Sequence, residues 1–257
     1  MLLEGKQGLI LGVANRRSIA RAIAQALARE GAELAFTYQG ERVKETVEEL
    51  ARSLGGEPLV LPCDVTRDDE LDAVFGRVGE RFGGLDILVH SLAFAQKEDL
   101  EGRFIDTSRE SFKLALDISA YSLTACVRRA EPLMERRGGG AVVTMTYLGG
   151  ERAVPNYNVM GVAKAALESS VRYLASELGP KAIRVNAVSA GPVRTLAARS
   201  ISGFTTMETH MEQHAPLRRN IEASEAAEAA LFLCSPMASA LTGTVLFADA
   251  GYHIVGM

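Results

Sequence analysis

The chain has 257 residues, 47% hydrophobic and 23% charged, with 24 Gly, 8 Pro and no Trp. That composition excludes disordered, collagenous and coiled-coil proteins, and α/β folds of about 250 residues commonly form one domain. A formal net charge of -4 argues against nucleic acid or an anionic membrane surface as partner, since both favour a basic excess.

Cys63, Cys126 and Cys234 are odd in number and far apart, so they offer neither a disulfide framework nor a CxxC metal pair, which fits a reducing compartment. The N-terminus lacks the apolar stretch of about 7–15 residues that marks a secretion signal. No run approaches the roughly 18 apolar residues of a membrane helix, so the expected location is cytoplasmic.

In chain order, the apolar run 8–13 reads as a strand. A turn and a helix opening near Ser18 follow, with Ile19, Ile23 and Leu27 on one face and Gly31 as the stop. Residues 34–38 form a second strand, and Val43, Val47, Leu50 and Leu54 then recur at helical spacing. A third strand at 59–61 precedes a helix with the stripe Leu71, Val74, Phe75, Val78 and Phe82. Further strands are expected at 86–90, 141–145, 183–188 and 245–247, with long helices at 107–136 and 157–178 and helical stretches before Cys234. Apolar strands alternating with crossover helices predict a single-domain doubly wound parallel α/β sheet over 1–257, about seven strands with helices on both faces. Ligands of such sheets sit at the carboxyl ends of the strands.

The first such end, Gly12 to Ala20, is where a dinucleotide pyrophosphate would meet a helix N-terminus. It carries only Gly12, not GxGxxG, and Ser18 reads either as a phosphate-side residue or as an ordinary N-cap. The second strand ends in Gln39, where NAD sites usually carry a carboxylate. Arg42 beyond it is either a solvated helix-start residue or a partner for a 2′-phosphate, so the cofactor stays open there, with NADH preferred to NADPH. In Cys63-Asp64-Val65, Asp64 or its neighbouring amide meets an adenine edge, or Asp64 caps the next turn.

The most specific signal is Tyr147, Tyr157 and Lys164. Tyr157 and Lys164 are seven apart, so on a helix they share a face, separated by about 10.5 Å of rise. The lysine stem can reach back to hold a cofactor ribose and lend positive potential to Tyr157. With an ordinary pKa of about 10, Tyr157 is a proton donor or oxyanion stabiliser at neutral pH. Tyr147, at a strand end, can face the same pocket. Any one of the three alone fits plain packing, but together on this kind of sheet they point to chemistry. His90, His210, His214 and His253 show no metal-ligand spacing, and no metal is expected.

Residues 3–255 resemble the short-chain dehydrogenase/reductase superfamily, and within it the bacterial NADH-dependent enoyl-acyl-carrier-protein reductases. The resemblance rests on Gly12-x5-Ser18-Ile19-Ala20, Phe36-Thr37-Tyr38-Gln39, Cys63-Asp64-Val65, His90-Ser91-Leu92-Ala93-Phe94-Ala95, Tyr147-x9-Tyr157-x6-Lys164 and the run from Ser189 to Ala197. The commoner short-chain alcohol dehydrogenases pair Tyr and Lys four apart, which this chain does not. The resemblance implies a Rossmann-type fold in which Gly12, Ser18, Ile19, Gln39, Asp64, Val65, Ser91, Leu92, Lys164, Val193, Arg194, Thr195, Leu196 and Ala197 contact NADH. Ala95 would line the substrate pocket, and Tyr157, Tyr147 and Lys164 would be the catalytic residues. It also implies an oxidoreductase that saturates the trans-2 double bond of an acyl-carrier-protein enoyl thioester in fatty-acid elongation, assembled as a homotetramer through the two long helices. The segment 192–212, with Ser200, Ser202, Gly203, Thr205 and Thr206, is expected to be a substrate lid. Some relatives carry basic residues there; here, apart from Arg194 and Arg199, the stretch offers small polar side chains, and Lys97, Arg103, Arg218 and Arg219 are either residues that meet an acidic carrier or plain solubilising charge. The alternatives are a short-chain carbonyl reductase and a nucleotide-binding protein without turnover. Tyr147 and the seven-residue spacing speak against the first, and the intact Tyr/Lys set against the second.

Overall fold

The computed structural model describes residues 1–55, 57–195 and 204–256, with Phe204 described in its backbone alone. The strands are β1 (Gln7–Leu11), β2 (Glu33–Tyr38), β3 (Leu59–Pro62), β4 (Ile87–His90), β5 (Gly140–Thr146), β6 (Ile183–Ala190) and β7 (Val245–Ala248). They form one parallel sheet in the order β3-β2-β1-β4-β5-β6-β7. The helices are α1 (Ile19–Arg29), α2 (Glu41–Ser53), α3 (Asp68–Phe82), the short α4 (Lys97–Leu100), α5 (Arg109–Leu116), α6 (Ser122–Glu135), α7 (Asn158–Leu178), α8 (Phe204–His214) and α9 (Ala223–Cys234).

Side chains along the central strands alternate between two cores, as the two-residue period of a strand requires. Ile10, Ile87, Val89, Val143 and Val188 pack with α1, α2 and α9. Leu9, Leu11, Leu88, Val142 and Val185 pack with α3, α6 and α7. Because both faces are covered, the strands read in sequence as unbroken apolar runs. The strand order reverses between β1 and β4, which pair Leu11 with His90 at their carboxyl ends. In such sheets the binding crevice opens at that reversal.

The expected continuous helix 107–136 is instead α5 and α6 joined by a π-helical turn, Asp117–Tyr121. Apolar spacing carries no mark of the extra residue such a turn takes up. What holds the turn is polar and buried. Ser122 Oγ donates to the Ile118 carbonyl at 2.6 Å, and the His90 ring nitrogens lie 2.7 Å from Ser122 Oγ and 2.9 Å from Thr144 Oγ1. Burial, reinforced by the Lys164 charge, pushes the His90 pKa down to about 3, so the ring stays neutral.

At the amino ends of the strands the Asp86 carboxylate, 5% exposed, accepts from Lys6 Nζ at 2.9 Å, Arg137 Nε at 3.0 Å and the Gln7 N–H at 3.0 Å. Asp86→Ala is expected to lower the unfolding free energy by about 2 kcal/mol in urea titration, because both freed cations can turn to water. His90 gives a pH prediction. Unfolded, it takes up a proton below its ordinary 6.5, whereas folded it resists protonation down to about 3, so its stabilising contribution fades as pH falls through that window. The drop in thermal midpoint between pH 7 and 4 should be shallower in His90→Gln than in the wild type.

Candidate active site

Loop 91–96, the 3₁₀ turn Leu148–Gly150 and the first turns of α7 meet over the carboxyl ends of β4 and β5. Lys164, 4% exposed, projects from α7 toward these ends. Its Nζ donates to the Met145 carbonyl at 2.8 Å and more loosely to the Leu92 carbonyl at 3.5 Å. Burial lowers its pKa to about 8 against the opposing pull of Glu168, leaving a cation at neutral pH.

Tyr157 is buried with Leu100, Met160 and Ala163, and Ala95, Leu116, Tyr147 and Val154 pack against that cluster. The Tyr147 and Tyr157 rings meet edge to face, 5.0 Å between centroids at 70°. Burial raises the pKa of both phenols, Tyr147 to about 12 with Tyr252 and Asp249 adding to the effect, and Tyr157 further, with Tyr147 and Glu168 adding. Both stay protonated at neutral pH. Tyr147 Oη donates to Met207 Sδ of α8 at 3.2 Å.

Helix α7 begins at Asn158, with Tyr157 immediately before it. Tyr157 (φ −107°) is its cap, flanked by Asn156 at φ 61° and Asn158 at φ 39°. The shared-face argument therefore holds only from Asn158 onward, and Tyr157 reaches the pocket from the cap.

Among the dinucleotide candidates, Gly12 has φ 103°, and a Cβ there would lie 2.1 Å from the Ser91 carbonyl oxygen. Only glycine lets the turn after β1 lie against the loop after β4, where the Ser91 N–H donates to the Leu11 carbonyl at 3.1 Å. Ser18 is the N-cap residue of α1, but its Oγ donates back to the Asn15 carbonyl at 2.9 Å and caps no N–H; Ile19 opens the helix. Gln39 and Asp64 come together from the ends of β2 and β3. Burial raises the Asp64 pKa, but hydrogen bonds from Thr66 and Gln39 outweigh it and hold the carboxyl below its ordinary range. Thr66 donates to Asp64 Oδ1 from its N–H at 3.0 Å and its hydroxyl at 2.7 Å, and the Asp64 N–H donates to Glu70 Oε2 at 2.7 Å. These bonds cap the turn after β3; Val65 follows, half-buried.

Past β6, Val193 is buried, Arg194 Nε donates to Glu208 Oε1 of α8 at 2.6 Å, and the Thr195 N–H donates to the Val193 carbonyl at 2.6 Å. Leu196 and Ala197, with Ser200, Ser202 and Gly203 of the expected lid, lie outside the described residues. Of the basic residues suggested for an acidic carrier, Lys97 pairs with Glu101 at 3.6 Å, Arg219 holds Glu225 through two bonds, and Arg218 bonds the Gln213 carbonyl.

Two features escaped the sequence reading. Thr146 Oγ1 donates to Glu168 Oε1 at 2.6 Å, setting a nearly buried carboxyl one helical turn beyond Lys164; its i+4 spacing from Lys164 was the available signal. Ser119, in the π-helical turn, accepts from the Phe94 N–H at 2.9 Å and donates to the Phe94 carbonyl at 3.1 Å, fixing the loop that carries Ala95. No local pattern announces it.

Comparison with known proteins agrees with this geometry. The family described as Enoyl-(Acyl carrier protein) reductase matches residues 12–253. The NADH-dependent enoyl-acyl-carrier-protein reductase FabI of Bacillus cereus is 52% identical, with 99% of each chain covered; that of Aquifex aeolicus is 52% identical over 100% of this chain and 94% of its own. A crystal structure of the Bacillus cereus reductase with NADP+ and indole naphthyridinone superposes with a TM-score of 0.97 at 52% identity, covering 100% of this chain and 99% of that one. The Anaplasma phagocytophilum reductase with NAD gives 0.95 at 49%, covering 100% and 97%. The chain belongs to the enoyl-(acyl carrier protein) reductase family.

Proposed function

We propose that the protein is an enoyl-acyl-carrier-protein reductase that uses NADH to saturate the trans-2 double bond of enoyl thioesters in fatty-acid elongation. The observation that carries this reading is the meeting of the Tyr147 and Tyr157 rings where the buried Lys164 ammonium bonds the Met145 carbonyl, two residues before Tyr147. Tyr147 sets it apart from a carbonyl reductase.

The residues fit a dinucleotide. Gly12 lets the turn after β1 lie against the loop after β4, and that turn feeds the N-terminus of α1, whose first N–H groups lack intrahelical acceptors. Gly12, Ser18 and Ile19 would hold the pyrophosphate, Gln39, Asp64 and Val65 the adenosine, and Ser91, Leu92, Lys164 and 193–197 the nicotinamide side. The bound nicotinamide supplies a hydride for the β-carbon of the enoyl group. Charge then builds on the thioester oxygen, and Tyr157, kept protonated by burial, donates a hydrogen bond to it. A proton from solvent at the α-carbon completes the saturated product. Lys164 binds ribose hydroxyls and adds positive potential, Tyr147 closes the pocket beside Tyr157, and Ala95 lines it. NADPH is the second reading for the cofactor, favoured by the NADP+ in the Bacillus cereus structure.

We carry three further parts of the reading. The lid over the pocket is 192–212, supported by the Tyr147 contact to Met207 on α8. A homotetramer is supported by Tyr121 and Tyr173, 50% and 77% exposed near and on the long helices. A cytoplasmic location is supported by three buried free cysteines; no helix of the described residues is long and apolar enough to cross a membrane.

Absorbance at 340 nm should fall with crotonyl thioester and NADH, and stay level with a β-ketoacyl thioester or with no acyl substrate; consumption of the ketoacyl compound alone would replace this reading with a carbonyl reductase. Tyr157→Phe should lower kcat by about 10²–10³. Lys164 is cationic below about 8 and loses its charge as pH rises, so NADH affinity should weaken above that pH in the wild type. Lys164→Ala should bind NADH weakly with a flat pH profile, measured by fluorescence titration.

A further inference from the structure

Tyr157 has little room to lie elsewhere. A Cβ on Gly149 would fall 2.4 Å from Tyr157 Cδ1, 2.7 Å from Cε1 and 3.2 Å from Tyr147 Cδ1, so the ring occupies the space an alanine side chain would take. The slot is built in two layers, because a Cβ on Gly161 of α7 would lie 2.7 Å from the Gly149 carbonyl oxygen. Backbone geometry aims the ring into it. The Tyr157 N–H donates to the Val154 carbonyl at 3.2 Å, and its own carbonyl accepts from the Met160 N–H at 2.9 Å, so one residue ends a loop and starts a helix. Making that corner requires positive φ at Asn156 and Asn158, a conformation that excludes most side chains and that asparagine tolerates better than most. Such conformations gather where a site fixes a reacting group.

We propose that Gly149 and Asn156 are positioning residues for the Tyr157 hydroxyl, Gly149 by leaving the slot its ring fills and Asn156 by turning the chain so that the ring enters it. The proposal rests on the reading of Tyr157 as the group that meets the thioester oxygen. A hydroxyl displaced by about 1 Å from its reacting partner can lose about 10²-fold in rate. Neither residue touches the cofactor in this scheme, so the loss belongs to kcat.

The test is steady-state kinetics with crotonyl thioester beside NADH affinity by fluorescence, on Gly149→Ala, Tyr157→Phe and the double variant. Gly149→Ala is expected to lower kcat by about 10–100-fold with NADH affinity within about twofold of wild type. In the Tyr157→Phe background the same substitution should cause almost no further loss, since the hydroxyl it misplaces is already gone. An equal loss in both backgrounds, or a wild-type rate in Gly149→Ala, overturns the proposal. A wild-type rate in Tyr157→Phe instead overturns the underlying reading of Tyr157. Asn156 decides independently if Gly149→Ala does not fold. Asn156→Ala and Asn156→Gly remove the same amide, so their difference reads the backbone alone; the glycine variant should turn over several-fold faster, and equal rates overturn the Asn156 assignment.

Discussion

A buried ammonium must be solvated by the protein itself, and Lys164 meets that demand with the carbonyl at the end of β5 and, more loosely, one in the loop after β4. Parallel strands make those carbonyls available, because beyond the last ladder bond each strand points its free backbone at the same edge. The long helix α7 has to lie across that edge for Lys164 to reach them, and the same crossing brings Tyr157 to Tyr147, which follows β5 directly. Without this helix-to-edge contact the phenols would have no common pocket, and Lys164 would return to water and its ordinary pKa.

The two ends of the sheet treat charge in opposite ways. At the amino ends Asp86 is paired with Lys6 and Arg137, whose side chains remain 44% and 35% exposed, so the carboxylate is compensated and the site is structural. At the carboxyl ends the bonds of Lys164 run to carbonyl oxygens. Dipoles compensate a full charge less well than a carboxylate does, which is why its pKa falls to about 8 while still leaving the cation at neutral pH. A lysine locked to a carboxylate would hold its charge at all ordinary pH values and have less reason to engage ribose hydroxyls. Glu168 sits one turn away with its Oε1 engaged by Thr146, near enough to support the charge and turned to another partner.

The sheet was legible because burial on both faces writes itself as apolar runs, and because helices between strands keep a 3.6-residue period. The cores with α1, α2 and α3 follow directly from Ile23, Val47 and Val74. The tyrosines and the lysine were legible as types at a spacing. Less legible was whatever depends on backbone polarity. The π-helical turn at Asp117–Tyr121 is set by His90, Ser119 and Ser122, which are ordinary in sequence and far apart along it. Asp64 reads two ways because a carboxylate after a strand can face ligand or chain, and the bonds it takes from Thr66, two residues on, exist only in the folded turn. The corner before α7 was illegible because periodicity cannot register the positive φ of Asn156 and Asn158.

That corner bears directly on the chemistry. A tyrosine inside the first turn of α7 would point where helix geometry sends it, over the turn preceding its own Cα, and its direction would be shared by every residue in register with it. At the cap, between Asn156 and Asn158 at positive φ, Tyr157 takes a direction of its own while its carbonyl still accepts from Met160. The seven-residue interval to Lys164 is therefore a spacing between one residue placed by the helix and one placed by the corner before it. A four-residue interval within one helix would carry both groups on a single rigid face, whereas here the phenol's direction is set by Gly149, Asn156 and Asn158, independently of the lysine.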